Sequence, residues 1–212
     1  MISFLLSIGV HPEMIEEMTE SLCVMELVMN AKIQFPQHFH FLKGNHENIL
    51  NEEGFGNFPF RKFAAEGEMV KDFMLDMYGE KLLHSYADFE HALPLAVIGE
   101  NFMASHAQPA HYICKDDLIN ALMDSRAIAS LTWTDNKESE VESVNRMLTD
   151  FFPDNASALY FGGHRPIKSK YNMLSPERYV QLHNPEKQYV TLLTPGKVFD
   201  PDNDIIDVEN KE

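Results

Sequence analysis

Three apolar stretches of the chain each run into a side chain that can ligate a metal ion or carry a proton. They are FLKGNHE (41–47), NFMASHA (101–107) and YFGGHRP (160–166). Each reads as a short strand with its polar group just past the carboxyl end, the position where α/β sheets build sites. The groups are Asn45 and His46, then His106, then His164. Two imidazoles and an amide oxygen brought together would make a borderline site for manganese, iron or zinc. In a chain with ten histidines, any one of them taken alone reads as structural. The recurrence at three strand ends favours a site. Arg165, next to His164, presents a guanidinium suited to paired hydrogen bonds with an oxyanion, whereas Lys43 reads as an exposed charge at a strand end.

The elements that must position these groups are legible in outline. Residues 12–34 carry Met14, Ile15, Met18, Leu22, Met25, Val28 and Met29 at spacings of three and four, one helical stripe. Pro12 suits the first turn of that helix and the acidic residues after it suit its dipole; Cys23 reads as a small core residue. A turn and a strand ending at Gly44 follow, then a helix over 61–83. LPLAVIGENFMASHA (93–107) predicts two strands joined at Gly-Glu-Asn. Residues 115–130 predict a helix, and 138–152 an amphipathic one with Val141, Val144, Met147, Leu148 and Phe151 inward. YVQLHNPEKQYVTLL (179–193) predicts a last hairpin around Asn-Pro. The mixture implies an α/β or α+β sandwich.

Composition narrows the classes of partner. The 212 residues hold 33 acidic against 17 basic side chains, a formal charge of −16. That argues against a binder of nucleic-acid backbone, which needs a basic face, and it would attract cations. Two cysteines, Cys23 and Cys114, make no disulfide framework. The opening MISFLLSIGV lacks the basic region and cleavage pattern of a signal peptide, and no apolar stretch has the length of a membrane span. A cytoplasmic protein without membrane contact is expected. The terminal DPDNDIIDVENKE is acidic and reads as a frayed tail. It lacks the glycine and glutamate of a calcium loop.

FLKGNHE resembles the Gly-Asn-His-Glu signature of calcineurin-like metallophosphoesterases, and its surroundings resemble the phosphoprotein (serine/threonine) phosphatase branch. The supporting stretches run in the family's order: AKIQFPQHFHFLKGNHE (31–47), FEHALPLAVIGENFMASHAQPA (89–110), WTDN (133–136) and FGGHRP (161–166). The resemblance implies a metallophosphoesterase-type β-sandwich flanked by helices. It implies two divalent ions (manganese, iron or zinc) about 3.5–4 Å apart that activate a water for in-line attack on phosphorus. By motif, Asn45, His106 and His164 would ligate the second ion. His46 would protonate the leaving alkoxide or stabilise its charge, and Glu47 would orient a neighbour without touching metal. The implied partner is a phosphorylated substrate: a phosphoprotein, or in a rival branch a dinucleotide polyphosphate.

One part of the family pattern is missing. Its Asp-x-His and Gly-Asp motifs, upstream of Gly-Asn-His-Glu, supply the first ion's ligands and the bridging aspartate; this sequence contains neither. The expectation is therefore one partial domain over residues 1–199, lacking the family's first strands, followed by a disordered tail at 200–212. The isolated chain should be weakly stable and weakly active or inactive. A non-catalytic binding module that keeps the fold is the alternative.

Overall fold

The computed structural model describes residues 12–62, 65–174 and 178–209. It divides into two compact units, Met1–Phe41 and Leu42–Glu212, where the sequence reads as one partial domain.

In the first unit, helix α1 spans Pro12–Gln34. Ile15, Met18, Leu22, Met25, Val28 and Met29 are half-buried, as the stripe requires; the side chain of Met14 lies outside the described residues. Cys23 corrects its expectation: it is exposed, because it falls beside Val24 and Leu27 on the helix face that is itself exposed. Lys32 closes the helix by donating to the carbonyls of Pro36 at 2.7 Å and Phe39 at 3.1 Å.

The second unit is a layered α/β structure. Its main sheet has five strands: β1 (Ala96–Ile98), β2 (Phe102–Ser105), β3 (Leu159–Gly162), β4 (Asn172–Leu174) and β5 (Tyr179–Gln181), in the order β1-β2-β3-β5-β4. The β1–β2 hairpin falls where the Gly-Glu-Asn turn placed it. β2, β3 and β5 run parallel, and β1 and β4 pair antiparallel at the two edges.

Strand alternation sends side chains to two faces, and each face has its own core. Met103, Tyr160 and Tyr179 face a helical layer with Ile128, Leu131, Val144, Met147 and Leu148. Phe161 and Val180, with Phe102 and Ala104, face Ile205, Tyr189 and Phe199 on the other side. That second layer includes a small sheet of β6 (Tyr189–Thr191) and β7 (Ile205–Asp207).

The helices differ from their expected bounds for local reasons. The predicted helix over 61–83 is two helices, α2 (Glu66–Tyr78) and α3 (Glu80–His91). Gly79 has φ +81°, a left-handed backbone that glycine adopts at no steric cost. The apolar period simply continues across it. The stretch 115–130 resolves into α4 (Lys115–Ile119), a 3₁₀ turn (Ala121–Met123) and α5 (Ser125–Thr132). Asp124 restarts the chain by accepting from the backbone N–H of Arg126 at 2.8 Å, an N-cap. Helix α6 spans Ser143–Phe151. Val144, Met147 and Leu148 are fully buried, each stabilising by roughly 1.5–3 kcal/mol. Val141 precedes the helix and is 73% exposed, contrary to its expected inward place.

Three further expectations are corrected. Residues 38–44 form no strand, since a strand requires a ladder; here the N–H of Lys43 donates to the carbonyl of Pro94 at 2.9 Å. β5 and β6 do not form a hairpin: β5 pairs with β3 and β4, and β6 with β7. Much of the expected tail is built into the fold. Helix α7 (Pro201–Asp204), capped by Asp200, leads into β7, where Ile205 is 1% exposed. Residues 210–212 lie outside the described residues. Among the described residues no helix is long and apolar enough to cross a membrane.

Candidate functional site

Because β2, β3 and β5 are parallel, their carboxyl ends share one edge of the sheet, and His106 and His164 follow two adjacent ends. The edge is fixed by main-chain bonds, since the N–H of Gly163 donates to the carbonyl of His106 at 2.9 Å. The Gly-Asn-His-Glu segment reaches the same edge. His106 Nε2 lies 2.9 Å from Asn45 Oδ1 and 3.1 Å from His164 Nδ1. The three groups named from the sequence therefore converge.

Their separations suit coordination. Cis donors about 2.1 Å from one octahedral ion stand about 3.0 Å apart, close to both measured distances. His164 Nε2 is buried without a hydrogen-bond partner. Burial holds both imidazoles well below the usual histidine range, each at about 4, and neighbouring positive charges add to it: His164 for His106, and Arg165 for His164. Both rings are neutral at pH 7, the form that ligates metal. The set fits one divalent ion through three neutral donors. Among the described residues no group of three or more His, Cys, Asp or Glu side chains is placed to hold a metal, so the set depends on the amide of Asn45 for its third donor.

The Gly44–Glu47 turn is built around the absence of a side chain. A Cβ on Gly44 would lie 2.6 Å from Glu47 Oε2 and 3.0 Å from His106 Nδ1. Glu47 accepts from the N–H of Gly44 at 2.5 Å; its pKa is raised chiefly by burial, with that bond and Lys43 acting the other way. Lys43 is a correction to the sequence reading. It is 3% exposed, and its ammonium donates to the carbonyls of Glu47 and Glu90. Burial lowers its pKa, while the charges of Glu90, Glu47 and Glu52 raise it. A cation can be buried here because carbonyls and carboxylates surround it.

His46 is exposed, and its ring packs on Phe60 with centroids 3.9 Å apart. Partial desolvation of the ring against its neighbours, then the charge of Lys62, lowers its pKa. Trp133 stands beside His164 with ring centroids 6.4 Å apart and beside Phe58 at 5.3 Å. Arg165 lies next to the site, but its Nε is 2.9 Å from Asp135 Oδ1, an ion pair with both side chains 44% exposed.

Sequence reasoning missed Gln181, whose amide nitrogen donates to Asn136 Oδ1 at 3.1 Å and to the carbonyl of Arg165 at 3.0 Å. The available signal was that β5 is a third strand ending at this edge, obscured by reading it as one arm of a hairpin.

No family model matches the chain, and no curated protein matches it in sequence. Among solved structures it resembles a protein serine/threonine phosphatase from Saccharomyces cerevisiae described as similar to human phosphatase PP5. The TM-score is 0.60 at 18% identity, covering 88% of this chain. The chain spans 64% of that protein's length. The chain thus has a mixed α/β fold of the serine/threonine phosphatase type, with three of its sequence-named donors gathered at one sheet edge.

Proposed function

We propose that this chain carries the ion-binding half of a metal-dependent phosphomonoesterase centre of phosphoprotein phosphatase type. The observation that carries the reading is the convergence of Asn45 Oδ1, His106 Nε2 and His164 Nδ1 at 2.9 and 3.1 Å within a phosphatase-type fold. A manganese, iron or zinc ion held there would act as a Lewis acid on a phosphoryl oxygen. His46 would supply the proton to the leaving oxygen or stabilise its charge, and Glu47 would hold the turn that presents Asn45 and His46. Arg165 would exchange Asp135 for a phosphoryl oxygen. A phosphorylated protein in the cytoplasm is the proposed partner, and the acidic charge weighs against nucleic-acid backbone.

The absence of the Asp-x-His and Gly-Asp motifs from the sequence supports a corollary: the isolated chain turns over weakly or not at all. The same lack favours, as a second reading, a non-catalytic module that binds phosphorylated partners.

Titration of a phosphoserine peptide with and without Mn²⁺, alongside a turnover assay, tests both readings. The expected result is peptide binding that strengthens with Mn²⁺ and loses that dependence in H106A, with little turnover. Binding indifferent to Mn²⁺ and to H106A would sink the proposal. Robust turnover would refute the corollary about the missing carboxylate.

A further inference from the structure

Gln181 is a deeply buried polar side chain, 1% exposed at the end of β5 and in register opposite Gly162 of β3. Both hydrogens of its amide are in use. One bonds to Asn136 Oδ1 at 3.1 Å in the 133–136 segment, the other to the carbonyl of Arg165 at 3.0 Å. Those two segments meet again outside it, through the Arg165–Asp135 ion pair. That pair is half-exposed and screened by solvent, whereas the Gln181 amide is buried, with its Oε1 left without a hydrogen-bond partner.

The chain it ties down is under strain. His164 has φ +61°, a left-handed conformation that a residue with a Cβ adopts only against steric strain. The turn closes through the N–H of Arg165, which donates to the carbonyl of Gly163 at 2.8 Å. Such a conformation persists only where the surroundings over-determine it. The carbonyl of Gly163's successor but one, that of Arg165, is held from one side by Gln181. The N–H of Gly163 is held from the other by His106.

We infer that Gln181 is a positioning residue: by gripping the Arg165 carbonyl and Asn136 together, it holds the left-handed turn that aims His164 Nδ1 at His106 Nε2. Without the amide, the Arg165 carbonyl and Asn136 each lose a buried partner. The turn then relaxes toward negative φ and swings the His164 ring away from its 3.1 Å approach to His106. This inference rests on the donor-site reading above.

The test compares wild type, Q181M (similar shape, no hydrogen bonds), N136A (one of the two ties removed) and V180A. Val180 is fully buried on the opposite face of β5, so V180A matches loss of stability without touching the turn. Mn²⁺ affinity is measured by electron paramagnetic resonance, and the His164 ring by NMR in the metal-free protein.

Expected is a 10–100-fold loss of Mn²⁺ affinity in Q181M, a smaller loss in N136A and none in folded V180A. The His164 ring resonances, single in wild type, should shift or average in Q181M. If Q181M and N136A bind Mn²⁺ within twofold of wild type and keep the wild-type ring signals, Gln181 serves stability alone and the inference fails. Should Q181M not fold, N136A decides by the same criteria. If wild type binds no Mn²⁺, the donor reading fails by itself. Unchanged ring signals in Q181M or N136A would then overturn the positioning claim separately.

Discussion

His106 Nε2 and His164 Nδ1 face each other at 3.1 Å, although the two residues lie 58 positions apart in sequence. Two parallel strands in register put them there, and burial keeps both rings neutral at pH 7. A pair of neutral imidazoles at that distance shares at most one hydrogen bond. An ion between them would satisfy both nitrogens.

Substitution should rank the three donors. H106A removes the nitrogen common to both short approaches and is expected to abolish measurable Mn²⁺ binding. H164A should weaken it by tenfold or more, and N45A should do the same without unfolding the chain. Isothermal titration at pH 7.5 checks the order. Equal affinity in H106A and wild type would remove the site from consideration.

The stability of the metal-free protein should depend on pH in two opposing ways. His106 and His164 have folded pKa values near 4 against about 6.5 unfolded, so between those values the unfolded chain binds more protons. Their part of the stability therefore rises with pH from about 4 to 6.5 and then levels off. Glu90 is raised to about 7, mainly by burial, so the folded chain binds more protons between about 4.5 and 7. Its part falls with rising pH across that window, by up to about 3 kcal/mol. E90Q should remove only the falling component. Urea midpoints of E90Q minus wild type should grow from pH 4.5 to 7; a flat difference would contradict the buried assignment of Glu90.

Gly44→Ala places a methyl 2.6 Å from Glu47 Oε2 and 3.0 Å from His106 Nδ1. Expected is a loss of about 1–3 kcal/mol from overpacking, accompanied by weaker Mn²⁺ binding as His106 is pushed aside. Thermal melts and ion titration on the same sample read the two effects separately.

Met147 and Val141 belong to one apolar pattern in the sequence but differ in the fold, at 0% and 73% exposed. M147A should cost about 2–5 kcal/mol by leaving a cavity. V141A should change stability by no more than about 0.5 kcal/mol. Similar losses in both would mean that α6 begins earlier than Ser143.

The convergence of Asn45, His106 and His164 was legible because each follows an apolar run, although only the runs before His106 and His164 are strands. The β1–β2 hairpin and the inward face of α6 were legible through the same short-range pattern. What could not be read was set by distant partners. The burial of Lys43 depends on the carbonyls of Glu47 and Glu90. The role of Gln181 depends on Asn136 and Arg165. Ile205 became core only because β7 pairs with β6. Gly79 broke a helix whose apolar period continues past it, and the absence of a strand over 38–44 reflects a missing ladder that no local pattern reports.

The most direct measurement is the number of Mn²⁺ ions bound per chain, by electron paramagnetic resonance at saturating metal, in wild type and H106A. Three neutral donors at a single sheet edge predict one ion in wild type and none in H106A. Two ions per wild-type chain, or one that survives H106A, would contradict the half-site.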